Sequence, residues 1–436
     1  MGIYFGTDGI RGIAIEELST EIAEKLGATL ASMKENSNII IAKDTRKSCD
    51  LLLHSFVKGA ISQGANVVSI KIAPTPCVSY LVKLLKFDYG VVISASHNPE
   101  QYNGIKIFGS NGQKILDSFE VRLEKQLFIP KLINPKKLGM FEEKTELLKY
   151  YLLNVYSILN KKLDLKIVVD CSNGAGSKII PKTLKKLGAK VYTIGNKPNG
   201  YNINLNCGAL SLNTLKKKVL KTHADIGFAF DGDADRLIAV DENGEEFDGD
   251  QIVCLLAKFL KVQGELENDS VVLTVQTNTG IEEDLLSHGI QMIRSDVGDK
   301  YVIEKMNNFG LSLGGEQSGH IIIKKYAESG DGLITAIMVA KILSENNLKL
   351  SDLRVTNLCF QVTENIMVED KNMIMNNKEI CSYKNYLESI LDSGRIVLRA
   401  SGTEPKIRIM VEHKCKEVAE STLLLLSSRI KELIYK

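Results

Sequence analysis

The chain has 436 residues and eight cysteines, is 44% hydrophobic and 25% charged, and carries a formal net charge of +2. That length exceeds one ordinary core and predicts two to four domains. The near-neutral charge gives no general electrostatic case for nucleic acid or a membrane surface. The cysteines form no C-x-x-C pair, which disfavours a zinc or redox motif and fits the reduced thiols of a cytoplasm. No apolar run reaches transmembrane length, and MGIYFGTDGIRG lacks a signal-peptide pattern, so a cytoplasmic location is expected.

In chain order, one unit recurs three times. It opens with an apolar strand ending in polar residues: NIIIAKDTR (38–46), LKIVVDCSNGAG (165–176) and SVVLTVQTNTG (270–280). A helical stretch follows and closes at a glycine that fits a left-handed C-cap, and a second strand begins: GANVVSI, GAKVYTI and GIQMIRS. After another helical stretch a third strand ends in a polar cluster: YGVVISASHNP (89–99), ADIGFAFDGDADR (224–236) and FGLSLGGEQSGH (309–320). This pattern predicts three α/β domains with mixed, largely parallel sheets. Ligands bind beyond the carboxyl ends of such strands, so the three clusters point to one shared site. From about residue 355 the pattern changes. RIVLRASGTEPKIRIMVE (395–412) reads as two strands around a tight turn, followed by an amphipathic helix over roughly 416–434, a smaller α+β domain. The expected domains are 1–150, 151–250, 251–355 and 356–436, with FIPKLINPKKLGM (128–140) as an irregular approach to the first boundary.

The clusters differ in chemistry. In ISASHNP, Ser96 and His97 lie just past a strand end, where an ordinary turn is the plain alternative. DGDADR places Asp231, Asp233 and Asp235 at alternating positions; crowded carboxylates call for a cation, and hard oxygen ligands suit Mg²⁺ or Ca²⁺. An EF-hand is rejected because Arg236 replaces the needed glycine and the flanks read as strands. A D-x-D-x-T phosphatase loop is rejected because Asp235 takes the Thr position. GGEQSGH offers Glu316, Gln317, Ser318 and His320, a donor and acceptor set suited to sugar hydroxyls. RASGTEP offers Arg399, the hydroxyls of Ser401 and Thr403 and N–H groups around Gly402, with Arg408 nearby, which suits a phosphate. GTDGIRG presents Arg11 on a further loop. Together these groups point to phosphoryl transfer on a sugar phosphate.

GTDGIRG, ISASHNP, NGIKIF (103–108), DGDADR, GGEQSGH and RASGTEP, in this order and nearly end to end, resemble the α-D-phosphohexomutases. The resemblance implies three α/β domains and a smaller fourth domain around a central cleft. It implies that Ser96 is a phosphoserine that passes its phosphoryl group to a sugar monophosphate, forming a 1,6-bisphosphate that turns over in the cleft and returns its other phosphate. One Mg²⁺ is implied at Asp231, Asp233, Asp235 and an oxygen of phosphorylated Ser96, with a glucosamine 1,6-bisphosphate or similar primer. Glu316 and Ser318 match sugar-binding positions, and Arg399, Ser401, Gly402 and Thr403 match the clamp for the phosphate at rest. Lys106 is the first choice for acid/base work, with Arg11 and His97 beside it; a surface lysine is its plain alternative. The resemblance is strongest to the amino-sugar branch, implying interconversion of glucosamine 6-phosphate and glucosamine 1-phosphate for bacterial envelope precursors. Gln317 fits this, since an amide oxygen accepts from a 2-ammonium group. The alternatives are a phosphomannomutase or phosphoglucomutase, and a non-catalytic sugar-phosphate binder. The expected partner is a small-molecule sugar phosphate, without nucleic acid or membrane, with a homodimer as a possible assembly. Tyr102, Cys49, Ala209 and Lys406 depart from the family pattern and bear on loop shape and substrate fit.

Overall fold

The computed structural model describes residues 5–6, 8–128, 135, 137–401 and 405–434. Most of the 128–140 segment, and Gly402 and Thr403 of the expected phosphate clamp, lie outside the described residues.

The threefold unit is present as read. In the first, strands Asn38–Lys43, Asn66–Ile72 and Tyr89–Ile93 are parallel, with the first strand in the middle. Lys166–Asp170, Lys190–Ile194 and Ile226–Phe230 repeat that order. So do Ser270–Thr274, Gln291–Ser295 and Leu313–Gly315. The middle strands are apolar because both faces are covered: Ile39, Ile40, Ile41 and Ala42 are all fully buried. Each helix before the second strand ends beside a glycine with positive φ, at Gly64 (+85°), Gly188 (+108°) and Gly289 (+69°), where a Cβ would be strained.

The structure adds a fourth strand to each unit, antiparallel to the third: Tyr102–Gly109, Leu237–Asp241 and Ile321–Ile323. These strands turn the chain back through the ligand edge, so the polar clusters become the loops joining third strand to fourth. The first sheet grows to seven strands and the second to five, while the third has four. The last domain is a three-stranded antiparallel sheet with Lys406–His413 between Phe360–Met367 and Arg395–Ala400. Helices Lys378–Ile390 and Lys416–Ile434 belong with it.

One apolar cluster runs through the first three domains, including Ile40, Val92, Phe228, Leu273 and Ile337. The last domain has its own, including Ile366, Ile380, Ile407 and Ile430. No helix among the described residues is long and apolar enough to cross a membrane.

Candidate active site

Ser96 follows the strand Tyr89–Ile93 and adopts a left-handed backbone, φ +52°. A non-glycine residue holds that conformation only where its surroundings impose it. Here the surroundings are explicit. Ser96 N–H donates to Ser94 Oγ (2.9 Å), and Ser94 Oγ donates to Asp44 (2.6 Å). Fully buried Arg46 is paired with Asp44 through Nε (2.9 Å) and donates from Nη2 to the carbonyls of Ser96 (3.1 Å) and Asn98 (2.8 Å). From the second domain, Asn204 donates to the same two carbonyls, each at 2.9 Å. Gly232 presses so close that a Cβ there would lie 2.5 Å from Ser96 O, so only glycine fits. Ser96 Oγ, fully buried, donates to Asp231 Oδ2 and lies 3.4 Å from His97 Nδ1.

Two of the departures from the family pattern fall in this network. Cys49 Sγ contacts Asp44 (3.1 Å), and the Tyr102 carbonyl accepts from Arg46 (3.0 Å). Burial, then the charges of Arg236 and Arg11, push the His97 imidazole down to about 3.

The DGDADR loop faces Ser96 across the domain boundary. One ligand atom from each of Asp231, Asp233 and Asp235 falls within 4.8 Å of the others, and all three side chains are buried. Burial, then the charges of Asp235 and Asp233, push the Asp231 carboxyl well above its ordinary range. Lys106 Nζ reaches Asp233 Oδ2 (2.7 Å) and Asp235 Oδ2 (3.0 Å). Burial opposes its ammonium, but Asp233, Asp235 and Asp8 outweigh that and hold its pKa well above the usual lysine value. The other oxygens, Asp233 Oδ1 and Asp235 Oδ1, are buried with no hydrogen-bond partner. Buried carboxylate oxygens without donors fit a hard divalent cation. Arg11 pairs with Asp8 and donates to Asn98 Oδ1 (3.4 Å).

A cleft of about 1050 Å³ opens above these loops, lined from all four domains. Glu316, Gln317, Ser318 and His320 line it on one side, and Arg399, Ser401 and Arg408 on another. Glu316 accepts from Gly298 N–H (2.9 Å), and His320 Nε2 accepts from Gly330 N–H (3.0 Å). Gln317 Nε2 donates to Asp248 Oδ2 (3.3 Å). A carboxylate only accepts, so this bond fixes which end of the amide it receives. Arg399 and Arg408 are directly opposed on neighbouring strands. Burial, then the Arg408 charge, lowers the Arg399 pKa, as expected of facing cations that would share an anion.

The structure thus gathers the expected residues at two levels. Ser96, His97, Lys106 and the three aspartates meet below, and the sugar and phosphate residues line the cleft above, with Asp235 reaching both. The motifs do not single out Asp44, Arg46 or Asn204, which brace the Ser96 loop, or Thr75, whose hydroxyl donates to Asp233 Oδ2. The repeat carries a cue for the first two: KDTR ends the first strand at the same sheet edge as Ser96.

Opposed arginines, a carboxylate cluster and a serine held under strain suit an enzyme that moves a phosphoryl group within one small molecule. Comparison with known proteins agrees. The chain matches models for the phosphoglucomutase/phosphomannomutase domains: alpha/beta/alpha domain I at residues 2–131, domain II at 146–244, domain III at 248–358 and the C-terminal domain at 363–423. It is 41% identical to a phosphoglucosamine mutase of Caldicellulosiruptor bescii, covering 99% of this chain and 100% of that one. It is 43% identical to one from Alkaliphilus oremlandii over 96% of each. Among solved structures, a phosphoglucomutase/phosphomannomutase family protein of Burkholderia thailandensis has the same fold, with a TM-score of 0.83, 23% identity and coverage of 97% and 95%. An Aspergillus fumigatus N-acetylphosphoglucosamine mutase, solved with GlcNAc-6P and magnesium, superposes with a TM-score of 0.73 at 16% identity, covering 100% of this chain and 96% of that one. The chain belongs to the phosphoglucomutase/phosphomannomutase family, the α-D-phosphohexomutases, and is an intramolecular phosphotransferase.

Proposed function

We propose that the chain interconverts glucosamine 6-phosphate and glucosamine 1-phosphate, as the names of its relatives indicate for them. The observation that carries this reading is the strained, cross-braced Ser96 against the DGDADR carboxylates. Phosphorylated Ser96 donates: its Oγ–P bond breaks as a hydroxyl oxygen of the sugar monophosphate bonds to phosphorus, giving the 1,6-bisphosphate. The sugar then turns over, and its other phosphate returns to Ser96 Oγ. Each transfer exchanges one P–O bond for another, and a bisphosphate primer restores the enzyme if the intermediate escapes. Protons move with each transfer: the attacking hydroxyl gives one up and the departing Ser96 Oγ takes one up, and Lys106, held as an ammonium by Asp233, Asp235 and Asp8, is the first choice for the donor, with Arg11 and His97 its neighbours. Asp231, Asp233, Asp235 and a phosphoserine oxygen would hold Mg²⁺, which supplies neutralisation of charge on the group in transfer.

At the far end, Arg399, Arg408 and Ser401, with Gly402 and Thr403, grip the phosphate at rest, and Glu316 and Ser318 read the sugar hydroxyls. With its Nε2 engaged by Asp248, Gln317 turns Oε1 to the amine at C2. We place the domain boundaries near 150, 250 and 355 and the enzyme in the cytoplasm.

The test is kcat/KM for glucosamine 1-phosphate, glucose 1-phosphate and mannose 1-phosphate on one Mg²⁺-loaded, bisphosphate-primed preparation. A preference for the amino sugar of about tenfold, roughly 1.4 kcal/mol, is expected. Preference for a neutral hexose would overturn the substrate and keep the transfer. No turnover with Ser96 phosphorylated would overturn both.

A further inference from the structure

The contact between the first two domains contains a bond that neither the nucleophile nor the sugar site requires. Thr75 opens the helix Thr75–Leu84 of the first domain and is 2% exposed. It is the first helical residue, after Pro74 at the N-cap, and its hydroxyl is directed out of its own helix. Thr75 Oγ1 donates to Asp233 Oδ2 at 2.5 Å, across the domain boundary. Its backbone N–H donates to the Asp233 carbonyl at 2.9 Å. One residue therefore grips Asp233 at main chain and side chain together.

The same carboxylate oxygen receives Lys106 Nζ at 2.7 Å. Two donors converge on Oδ2, and Oδ1, in a side chain with no solvent exposure, has none. A carboxylate whose one oxygen is doubly held cannot rotate freely, so the other oxygen has a fixed direction. Hydrogen bonds of this kind to a ligating carboxylate set its orientation and raise metal affinity.

We propose that Thr75 is a positioning residue for the metal loop: its hydroxyl holds Asp233 Oδ2 so that Oδ1 is presented to a divalent cation. This rests on the reading that Asp231, Asp233 and Asp235 hold the metal. Because Thr75 belongs to the first domain and Asp233 to the second, the metal site is complete only when the two domains are docked. Asn204 makes the reciprocal contact, from the second domain to the Ser96 loop.

The test is direct metal binding by the full chain, with Mg²⁺ by titration calorimetry and Mn²⁺ by electron paramagnetic resonance. The proteins compared are the wild type, Thr75→Val, Thr75→Ser and Asp231→Asn, each shown to be folded by its melting curve in chelator. Thr75→Val keeps the shape and loses the hydroxyl; it is expected to weaken both ions by about 10- to 100-fold. Thr75→Ser keeps the hydroxyl and is expected to stay within about threefold of wild type. If Thr75→Val folds poorly, Thr75→Ala removes the same group and is read on the same scale. Wild-type affinity in Thr75→Val, or equal loss in Thr75→Ser, overturns the proposal. Asp231→Asn separates the two readings. If it binds as wild type does, the carboxylate metal site itself fails; if it loses the ion while Thr75→Val does not, only the role of Thr75 fails.

Discussion

The two ends of the cleft are built differently. The Ser96 end stands on the apolar core shared by the first three domains, and its loop is tied down by Arg46 from its own domain and Asn204 from the next. The Arg399 end stands on a domain with a separate core. That domain meets the third through polar bonds: Arg395 to the Val275 carbonyl (2.8 Å), Thr279 N–H to Glu412 (2.9 Å) and Gln361 to the Gln276 carbonyl (2.9 Å). Apolar cores resist displacement, whereas small polar domain interfaces rearrange at modest cost. The contrast matches two demands of the proposed reaction. Transfer needs a donor fixed to a fraction of an ångström. The resting phosphate needs a grip that releases and closes again as the bisphosphate turns over.

The largest effect should come from the fixed end. Ser96→Ala is expected to lower turnover on the order of 10⁵-fold or more, as removal of a covalent nucleophile does elsewhere. Its melting curve should shift by no more than about a few degrees, because the ties from Arg46 and Asn204 go to main-chain atoms and only the Ser96 Oγ–Asp231 bond is lost. Turnover surviving in a ³²P-exchange assay would remove the phosphoserine from the mechanism. At the Arg399 end, Arg399→Ala removes one charge-assisted grip, worth about 1.5–3 kcal/mol. It should therefore raise KM by roughly ten- to a hundredfold, with a smaller change in kcat. A loss confined to kcat would mean that Arg399 acts on the group in transfer and that the two ends are not separate in function.

The fold was legible where local pattern carries it. Apolar runs, left-handed helix ends at Gly64, Gly188 and Gly289, and polar strand ends gave three repeated units and the final hairpin. The repeat as read from the sequence stops at the third strand, because the fourth strands differ in length, at 8, 5 and 3 residues, and follow loops of three different kinds. The site was legible in its chemistry and not in its supports. Ser96 and the aspartates stand out as residue types, but Thr75 meets Asp233 across 158 positions and Asn204 meets Ser96 across 108. Hydrophobic periodicity reports what faces a core, not which polar side chains meet between domains. Arg46 was hidden for another reason: a fully buried arginine is unusual unless paired, and its partner Asp44 reads as an ordinary strand-end residue.

A smaller effect tests the ground between the two ends, on the sugar-reading loop. Gln317→Met removes the amide that Asp248 orients. It is expected to reduce the ratio of kcat/KM for glucosamine 1-phosphate over glucose 1-phosphate by about tenfold, the scale of one polar contact to substrate. An unchanged ratio would place amino-sugar recognition elsewhere in the cleft.

The smallest effect concerns Asp250, in the first turn of the helix Gly249–Val262 that follows Asp248. Its Oδ1 accepts from Thr277 Oγ1 (3.0 Å), while Oδ2 is buried without a partner. Burial, then the neighbouring Asp248 charge, raises its pKa from 3.8 to about 8. Between those values the folded chain keeps a proton that the unfolded chain has lost. Folding therefore binds protons, and stability falls as pH rises from about 4 to about 8, levelling off above. Asp250→Asn cannot ionise and loses that slope. Its melting temperature relative to wild type should rise between pH 5.5 and pH 8.5, by about a few degrees. A difference that stays constant over that range would show that Asp250 is already ionised in the folded chain, with Oδ2 finding a donor. The sugar-reading side would then carry a full buried charge beside Asp248.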